Sequence, residues 1–137
     1  MAGAQGGCMC GAVRYECNAT PMFMGNCHCR DCQRSSGGAY CPAIGVPRSA
    51  VTITGNVKYY ESKADSGSMA KRGFCPNCGS RLFSLPPFAP DLMVIQATSL
   101  DDPTIFKPGM DIYTSSAQPW DHMDPALPKF PKMPPAG

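Results

Sequence analysis

The sequence lacks the segments that would direct a chain into or through a membrane. Its first residues, MAGAQGGCMCG, contain no basic region followed by an apolar run, so they do not resemble a secretory signal. The most apolar later stretch, LMVIQATSL, is far shorter than the roughly 18 residues that a spanning helix needs. We therefore expect a cytoplasmic protein with no membrane partner, in a compartment where thiols stay reduced.

The sequence also has little net charge. The formal charge of the 137 residues is +2, and the basic residues are scattered rather than gathered into a stripe. This balance argues against nucleic acid as a main partner. A chain of this length is expected to form a single domain over residues 1–137, and the sequence leaves open whether that domain forms a homo-oligomer.

Long helical patterns are missing as well. The chain contains 14 glycines and 15 prolines, which favour turns. Strand-like runs recur instead: in AVRYEC (residues 12–17), the side chains of Val13, Tyr15 and Cys17 alternate with polar ones. Seven further β-type runs follow, namely AYCPAIGV, VTITG, KYYES, GSMAKRGF, SRLFSL, LMVIQATSL and DIYTSS. With one helical turn predicted from His28 to Arg34, the fold class is all-β.

The C-terminal segment DPALPKFPKMPPAG is too rich in proline to form a helix or a regular strand. We expect it to form an extended strap that packs through Leu127 and Phe130 and then frays, so that residues 127–137 form an irregular tail.

Cysteine is the residue that the sequence has in excess. Nine cysteines in a reducing compartment need a reason other than disulfides, and an odd number would leave one thiol unpaired. The motif CMC (residues 8–10) precedes the first predicted strand, and CPNCG (residues 75–79) lies between two later ones. Two short pairs far apart in sequence typically form a closed zinc site. The predicted ligands of this structural zinc are Cys8, Cys10, Cys75 and Cys78, and the alternative is four buried, reduced cysteines.

A second group lies in NCHCRDCQRSSGG (residues 26–38), where Cys27, Cys29 and Cys32 fall within six residues. A zinc ion held by three protein ligands keeps one coordination position open, which is typical of catalytic sites. Cys17 and Cys41 are expected to be buried core thiols. If either supplied a fourth thiolate, the site would instead be closed and structural.

Other polar residues near the second group are candidates for supporting roles. His28 competes for the fourth position, but a side chain between two ligands is expected to point away from the metal. His122 is expected at the surface, and Asp31 either accepts a hydrogen bond near the site or is solvated. Four basic residues could offset the thiolate charge or hold substrate carboxylates, although each alone is more simply a solvated side chain: Arg30, Arg34, Lys71 and Arg72.

The charge of a three-cysteine site predicts its chemistry. A Zn²⁺ ion with three thiolates carries a net charge of about −1, so it is a poor activator of water compared with a three-histidine site. Soft thiolate ligands favour a soft incoming ligand. The site is therefore expected to bind a small thiol as thiolate and present it to a carbon electrophile, or to split a C–S bond in the reverse direction.

The order of these motifs, CxC, then NCHCRDCQRSSG, then RGFCPNCGSRLF, resembles the family of glutathione-dependent formaldehyde-activating enzymes and their centromere protein V-type relatives. The resemblance runs from about Cys8 to the final PW and LPKF segments and implies a zinc-stabilised β-tent (Mss4-like) fold. It also implies two zinc ions per chain, a structural one in the four-cysteine group and a catalytic one in the triplet. The implied activity is that of a carbon–sulfur lyase, which adds glutathione to formaldehyde to give S-hydroxymethylglutathione.

Two other functions stay open at this point. The chain could be a non-catalytic, zinc-stabilised protein-interaction module, since similar β-tent folds serve as partners of small GTPases, chromatin or the cytoskeleton. It could also use bound water to hydrolyse a small electrophile, which the thiolate-rich charge disfavours. Zinc content separates the lyase, with two ions, from the module, which needs one. The physiological thiol and electrophile are not identified by the sequence.

Overall fold

The computed structural model describes residues 3–134, which contain two β-sheets and one short α-helix. Ten strands are present in this range: β1 (Ala4–Gly7), β2 (Arg14–Cys17), β3 (Phe23–Cys27), β4 (Cys41–Pro47), β5 (Val51–Thr54), β6 (Lys58–Lys63), β7 (Met69–Phe74), β8 (Arg81–Leu85), β9 (Leu92–Gln96) and β10 (Asp111–Ile112). Helix α1 spans Arg30–Ser36. No helix in the described part of the chain is long and apolar enough to cross a membrane.

The strands are arranged as one small and one large sheet. The small sheet has the order β1-β2-β5, and both of its pairs are antiparallel. The large sheet has the order β10-β3-β4-β9-β8-β7-β6, in which only the β10–β3 pair is parallel. This architecture confirms the all-β prediction.

The core lies where side chains of the two sheets meet. Tyr15 of β2 packs edge-on against Phe83 of β8, with 5.2 Å between the ring centroids. Ile44 and Ile95 of the large sheet are also fully buried. Burying an aromatic or branched aliphatic side chain of this kind is worth about 1.5–3 kcal/mol, so these side chains stabilise the packing of the two sheets.

All eight predicted strand runs contain strands, but two strands come from segments that the sequence analysis missed. These are β1, with the sequence AQGG, and β3, with the sequence FMGNC. The predicted helical turn at residues 28–34 is also shifted, because helix α1 begins after its N-cap Cys29 and ends at Ser36. The next residue, Gly37, is the C-cap, and its φ of 75° is left-handed. Glycine adopts this conformation without steric cost, so it ends the helix two residues later than predicted.

The proline-rich C-terminal segment packs as an extended strap along β10. Backbone N–H groups of Asp111, Tyr113 and Thr114 donate to the carbonyls of Pro128, Lys132 and Phe130, respectively. Leu127 and Phe130 are half-buried, as the predicted packing requires. Residues 135–137, where fraying is predicted, lie outside the described residues, and the assignment of residues 1–137 to a single domain remains a prediction.

Candidate metal centres

The first cysteine group joins the two sheets. Cys8 and Cys10 follow β1 of the small sheet, and Cys75 and Cys78 lie in the turn between β7 and β8 of the large sheet. The four Sγ atoms lie within 4.8 Å of one another, with 3.6 Å between Cys8 and Cys10 and 3.8 Å between Cys10 and Cys75. A tetrahedral zinc site with Zn–S bonds of about 2.3 Å places its sulfurs roughly 3.8 Å apart. The four sulfurs therefore fit a zinc ion.

The surrounding backbone favours thiolates in this group. The N–H groups of Val13 and Asn77 point at the sulfurs of Cys8 and Cys75, at 3.2 Å and 3.4 Å. A hydrogen bond from the Ser80 hydroxyl, together with backbone N–H donors, lowers the pKa of Cys78 to about 5. Thiolate is the form that binds metal, so the lowered pKa of Cys78 favours metal binding at this position.

The second cysteine group comes from one short segment. Cys27 ends β3, Cys29 is the N-cap of helix α1, and Cys32 lies in the first turn of the helix, where its N–H donates to the Cys29 sulfur at 3.3 Å. The three Sγ atoms lie within 4.8 Å of one another. No fourth cysteine, histidine or carboxylate within residues 3–134 joins them at that spacing.

The two remaining cysteines lie outside both groups. Cys17 is buried in the core between the sheets. Cys41 lies opposite Cys27 in the β3–β4 pair, and its thiol donates to the side-chain oxygen of Gln96 at 2.8 Å. Hydrogen bonding with Cys32 and burial raise the pKa of Cys41 well above its usual value. The sulfur of Cys41 does not join those of the triplet within 4.8 Å, so the second group has three sulfurs.

Of the four basic residues that the sequence suggested, Arg72 is the one whose charge affects the pKa of a thiol in the second group. Arg30 and Arg34 are exposed, and Lys71 pairs with Glu61 at 3.4 Å on the surface. Hydrogen bonds from Cys27 and Cys29 lower the pKa of Cys32, and the positive charge of Arg72 lowers it further.

Arg81 is a further cation beside this group, and the sequence analysis did not single it out. Its guanidinium donates to the Ser35 hydroxyl at 2.5 Å, and that hydroxyl donates to the Cys32 carbonyl at 3.4 Å. Burial lowers the pKa of Arg81, against the opposing effect of the Cys41 and Cys32 sulfurs. No sequence pattern distinguishes Arg81 from the other basic residues, because its role depends on the neighbours that β8 gives it.

His28 is directed away from the sulfurs into a buried ionic cluster. Its ring is fully buried, with Nδ1 at 2.5 Å from Asp121 and Nε2 at 2.8 Å from Asp111. Lys129 of the strap donates to the other oxygen of Asp111 at 3.0 Å. We call His28, Asp111, Asp121 and Lys129 the histidine cluster; it connects the cysteine triplet to the C-terminal strap. Asp31 and His122 are both exposed.

Comparison with known folds and families agrees with this arrangement. A solved crystal structure of a Rhodobacter sphaeroides protein has the same fold, with a TM-score of 0.59 at 19% identity, and the match covers 92% of this chain and 98% of that one. The model of the glutathione-dependent formaldehyde-activating enzyme family matches residues 3–116. The chain therefore belongs to this family.

Two curated relatives match part of the chain. A Halomonas elongata protein, whose name places it provisionally in the same family, is 28% identical over 102 residues, covering 71% of this chain and 65% of the relative. An uncharacterised lyase of Schizosaccharomyces pombe is 28% identical over 79 residues, covering 58% of this chain and 55% of the relative. The matched region thus covers 65% of the length of the first relative and 55% of the length of the second.

Proposed function

We propose that the protein is a zinc-dependent carbon–sulfur lyase. It would add a small thiol of the glutathione type to an aldehyde such as formaldehyde, or release the thiol from the adduct, as an S-hydroxymethylglutathione synthase does. The observation that carries the proposal is the triplet of Cys27, Cys29 and Cys32, which has three converging sulfurs and no fourth protein donor in residues 3–134. Family membership and a lyase-named relative support an enzyme of this kind.

In this proposal each cysteine group holds one zinc ion. Cys8, Cys10, Cys75 and Cys78 would hold a structural ion, and the triplet a catalytic one. When bound to the triplet, zinc supplies a soft, thiolate-rich site that keeps an added thiol deprotonated at neutral pH. Nine free cysteines suit a reducing compartment, so we extend the proposal to a cytoplasmic location.

The protein's own side chains set the charge of the site. Three thiolates would be a large concentration of negative charge, and Arg72 and Arg81 are the cations whose fields reach Cys32. The Cys41 thiol donates to the Gln96 side chain rather than joining the three sulfurs. In the addition, the thiolate sulfur forms a bond to the carbonyl carbon, and the carbonyl oxygen takes a proton. The reverse reaction breaks the same C–S bond and returns that proton.

The test measures metal content and reaction rate together. Glutathione and formaldehyde combine spontaneously, so the useful quantity is the rate of exchange at equilibrium, followed by NMR magnetisation transfer. We expect two zinc ions per chain and faster exchange than in buffer, with the acceleration lost in Cys29→Ser. A single zinc ion in the wild-type protein, or exchange no faster than in buffer, would instead favour the non-catalytic interaction module.

A further inference from the structure

Tyr113 has an unusual backbone conformation. Within residues 3–134 it is the one non-glycine residue with a positive φ, and its φ of 56° and ψ of 38° lie in the left-handed region. Its N–H donates to the Lys132 carbonyl of the strap at 3.0 Å, and its carbonyl accepts from the Ser116 N–H at 3.1 Å. A bulky side chain makes this conformation sterically costly, and such costs are concentrated at functional sites.

The strained residue lies beside the cysteine triplet. Strand β10 runs parallel to β3, and its last residue, Ile112, lies opposite Cys27. The His28 N–H donates to the Ile112 carbonyl at 3.0 Å, so the two segments are joined immediately before Tyr113. The left-handed conformation ends β10 at this point. Tyr113 therefore leaves the sheet one residue after the position that pairs with the first cysteine of the triplet.

The phenol of Tyr113 is close enough to the triplet to sense its charge. Burial raises the pKa of Tyr113, and the negative charges of Asp65 and of the three triplet sulfurs raise it further. A raised pKa keeps the hydroxyl protonated at neutral pH. The hydroxyl has no hydrogen-bond partner within residues 3–134 and is accessible from solvent. It is therefore a neutral donor that a ligand at the triplet can use.

The proposed reaction needs such a donor. As the thiolate sulfur bonds to the carbonyl carbon, the electron pair of the C=O double bond moves to the oxygen, which becomes negatively charged until it takes a proton from solvent. A hydrogen-bond donor placed at that oxygen stabilises the charge in the transition state more than in the free aldehyde, so it accelerates the reaction.

We propose that Tyr113 is a catalytic residue of this reaction, and that its hydroxyl donates a hydrogen bond to the carbonyl oxygen of the aldehyde. The inference rests on the proposed function and adds a residue to it. In the reverse direction, the same hydroxyl stabilises the same oxygen after it loses its proton and while the C–S bond breaks. The strained backbone holds the phenol at the triplet, as a residue of the active site requires.

Tyr113→Phe tests the hydrogen bond alone, because it removes the hydroxyl and keeps the ring. We expect the acceleration of exchange between glutathione and formaldehyde, measured by NMR magnetisation transfer, to fall about 100-fold. Zinc content should not change. The affinity for glutathione, measured from the thiolate-to-cobalt absorption band of cobalt-loaded protein, should also be unchanged. Tyr40→Phe is the matched control and should keep the wild-type rate, since the Tyr40 ring lies 5.2 Å from that of His28, which is directed away from the sulfurs.

A second measurement reports contact with the ligand independently of the rate. Fluorotyrosine is incorporated at position 113, and its fluorine NMR signal is recorded with S-hydroxymethylglutathione and with S-ethylglutathione. The two ligands have the same size but differ in one group, a hydroxyl in the first and a methyl in the second. We expect the first ligand to shift the signal clearly more than the second, because only the hydroxyl oxygen can accept the hydrogen bond.

The outcomes separate this inference from the proposed function. Wild-type exchange rates in Tyr113→Phe, or equal fluorine shifts with the two ligands, overturn the inference and leave the lyase proposal standing. Loss of zinc or of glutathione affinity in Tyr113→Phe assigns a structural role to the residue and also overturns it. Should Tyr113→Phe fail to fold, the fluorine measurement decides alone. A wild-type protein that does not accelerate the exchange overturns the proposed function, and this inference with it.

Discussion

The two cysteine groups contain the same kind of side chain but differ in how far apart their cysteines lie in the sequence. In the first group, Cys10 and Cys75 lie 65 residues apart in sequence and belong to segments of different sheets. In the second, the sulfurs of Cys27, Cys29 and Cys32 come from the end of one strand and the start of the next helix. A metal in the first group therefore closes a long loop, whereas a metal in the second adds little to the order of its segment. Under the proposed function, the sequence separation of the cysteines distinguishes the stabilising group from the reactive one.

The largest expected effect comes from breaking the long-range group. Cys78→Ser removes one of four ligands, and because metal affinity at such a site is folding free energy, the free energy of unfolding should fall by about 5 kcal/mol or more. The melting temperature should fall by roughly 15–20 °C, measured by calorimetry alongside zinc content. An unchanged melting temperature would contradict the structural role of this group.

Removing a carboxylate from the histidine cluster should have an intermediate effect. Asp111→Asn removes the buried carboxylate that pairs with Lys129 and contacts His28, which should lower the free energy of unfolding by about 3 kcal/mol in urea titrations at pH 7. Asp31→Asn, at an exposed position on the same segment as the triplet, is the control and should change it little.

The pH dependence of this loss tests its electrostatic origin. Burial raises the pKa of Asp111, but hydrogen bonds from His28 and Lys129 outweigh burial, so the pKa is lowered. A lowered pKa stabilises the fold above the carboxyl's unfolded pKa of about 3.9 and loses that effect as the pH falls through the folded value. The difference between wild type and Asp111→Asn should therefore shrink below about pH 4. A difference that stays constant down to pH 3 would show that packing, not charge, explains the loss.

The smallest effect on stability is expected at the triplet. Cys29→Ser should lower the free energy of unfolding by less than about 2 kcal/mol, because loss of a metal from this short segment opens no long loop. The same variant should lose one zinc ion and the catalysed exchange. If Cys29→Ser unfolds the protein as Cys78→Ser does, the contrast between the two groups is wrong and both are structural.

Each cysteine motif could be predicted from spacing, because residues within a short turn lie close together whatever the fold. That the two pairs of the first group meet across 65 residues was inferred from the usual composition of closed zinc sites. The strands with apolar alternation were predictable for the same local reason. Strand β1 was not, since AQGG carries no apolar pattern and glycine usually indicates a turn. Its Gly6 is required by packing instead: a Cβ there would lie 2.4 Å from the Tyr15 hydroxyl and the Ser99 carbonyl.

The supporting residues of the site depend on distant partners. The carboxylate partners of His28 lie 83 and 93 residues away in sequence, and Arg81 donates to a serine 46 residues earlier. Local patterns carry no information about such pairs, because the sheet order decides which strands become neighbours. The sequence therefore predicted the sulfurs but not the charges around them.

The strap along β10 has a consequence for association between molecules. Strand β10 is the last strand of the large sheet, and an unpaired outer edge would be a template for strand addition by another chain. The strap covers that edge with carbonyl acceptors, while its own prolines at positions 125, 128, 131 and 134 have no N–H to offer a further strand. The same proline spacing that kept this segment from being predicted as a strand thus prevents further strands from adding to the sheet at this edge.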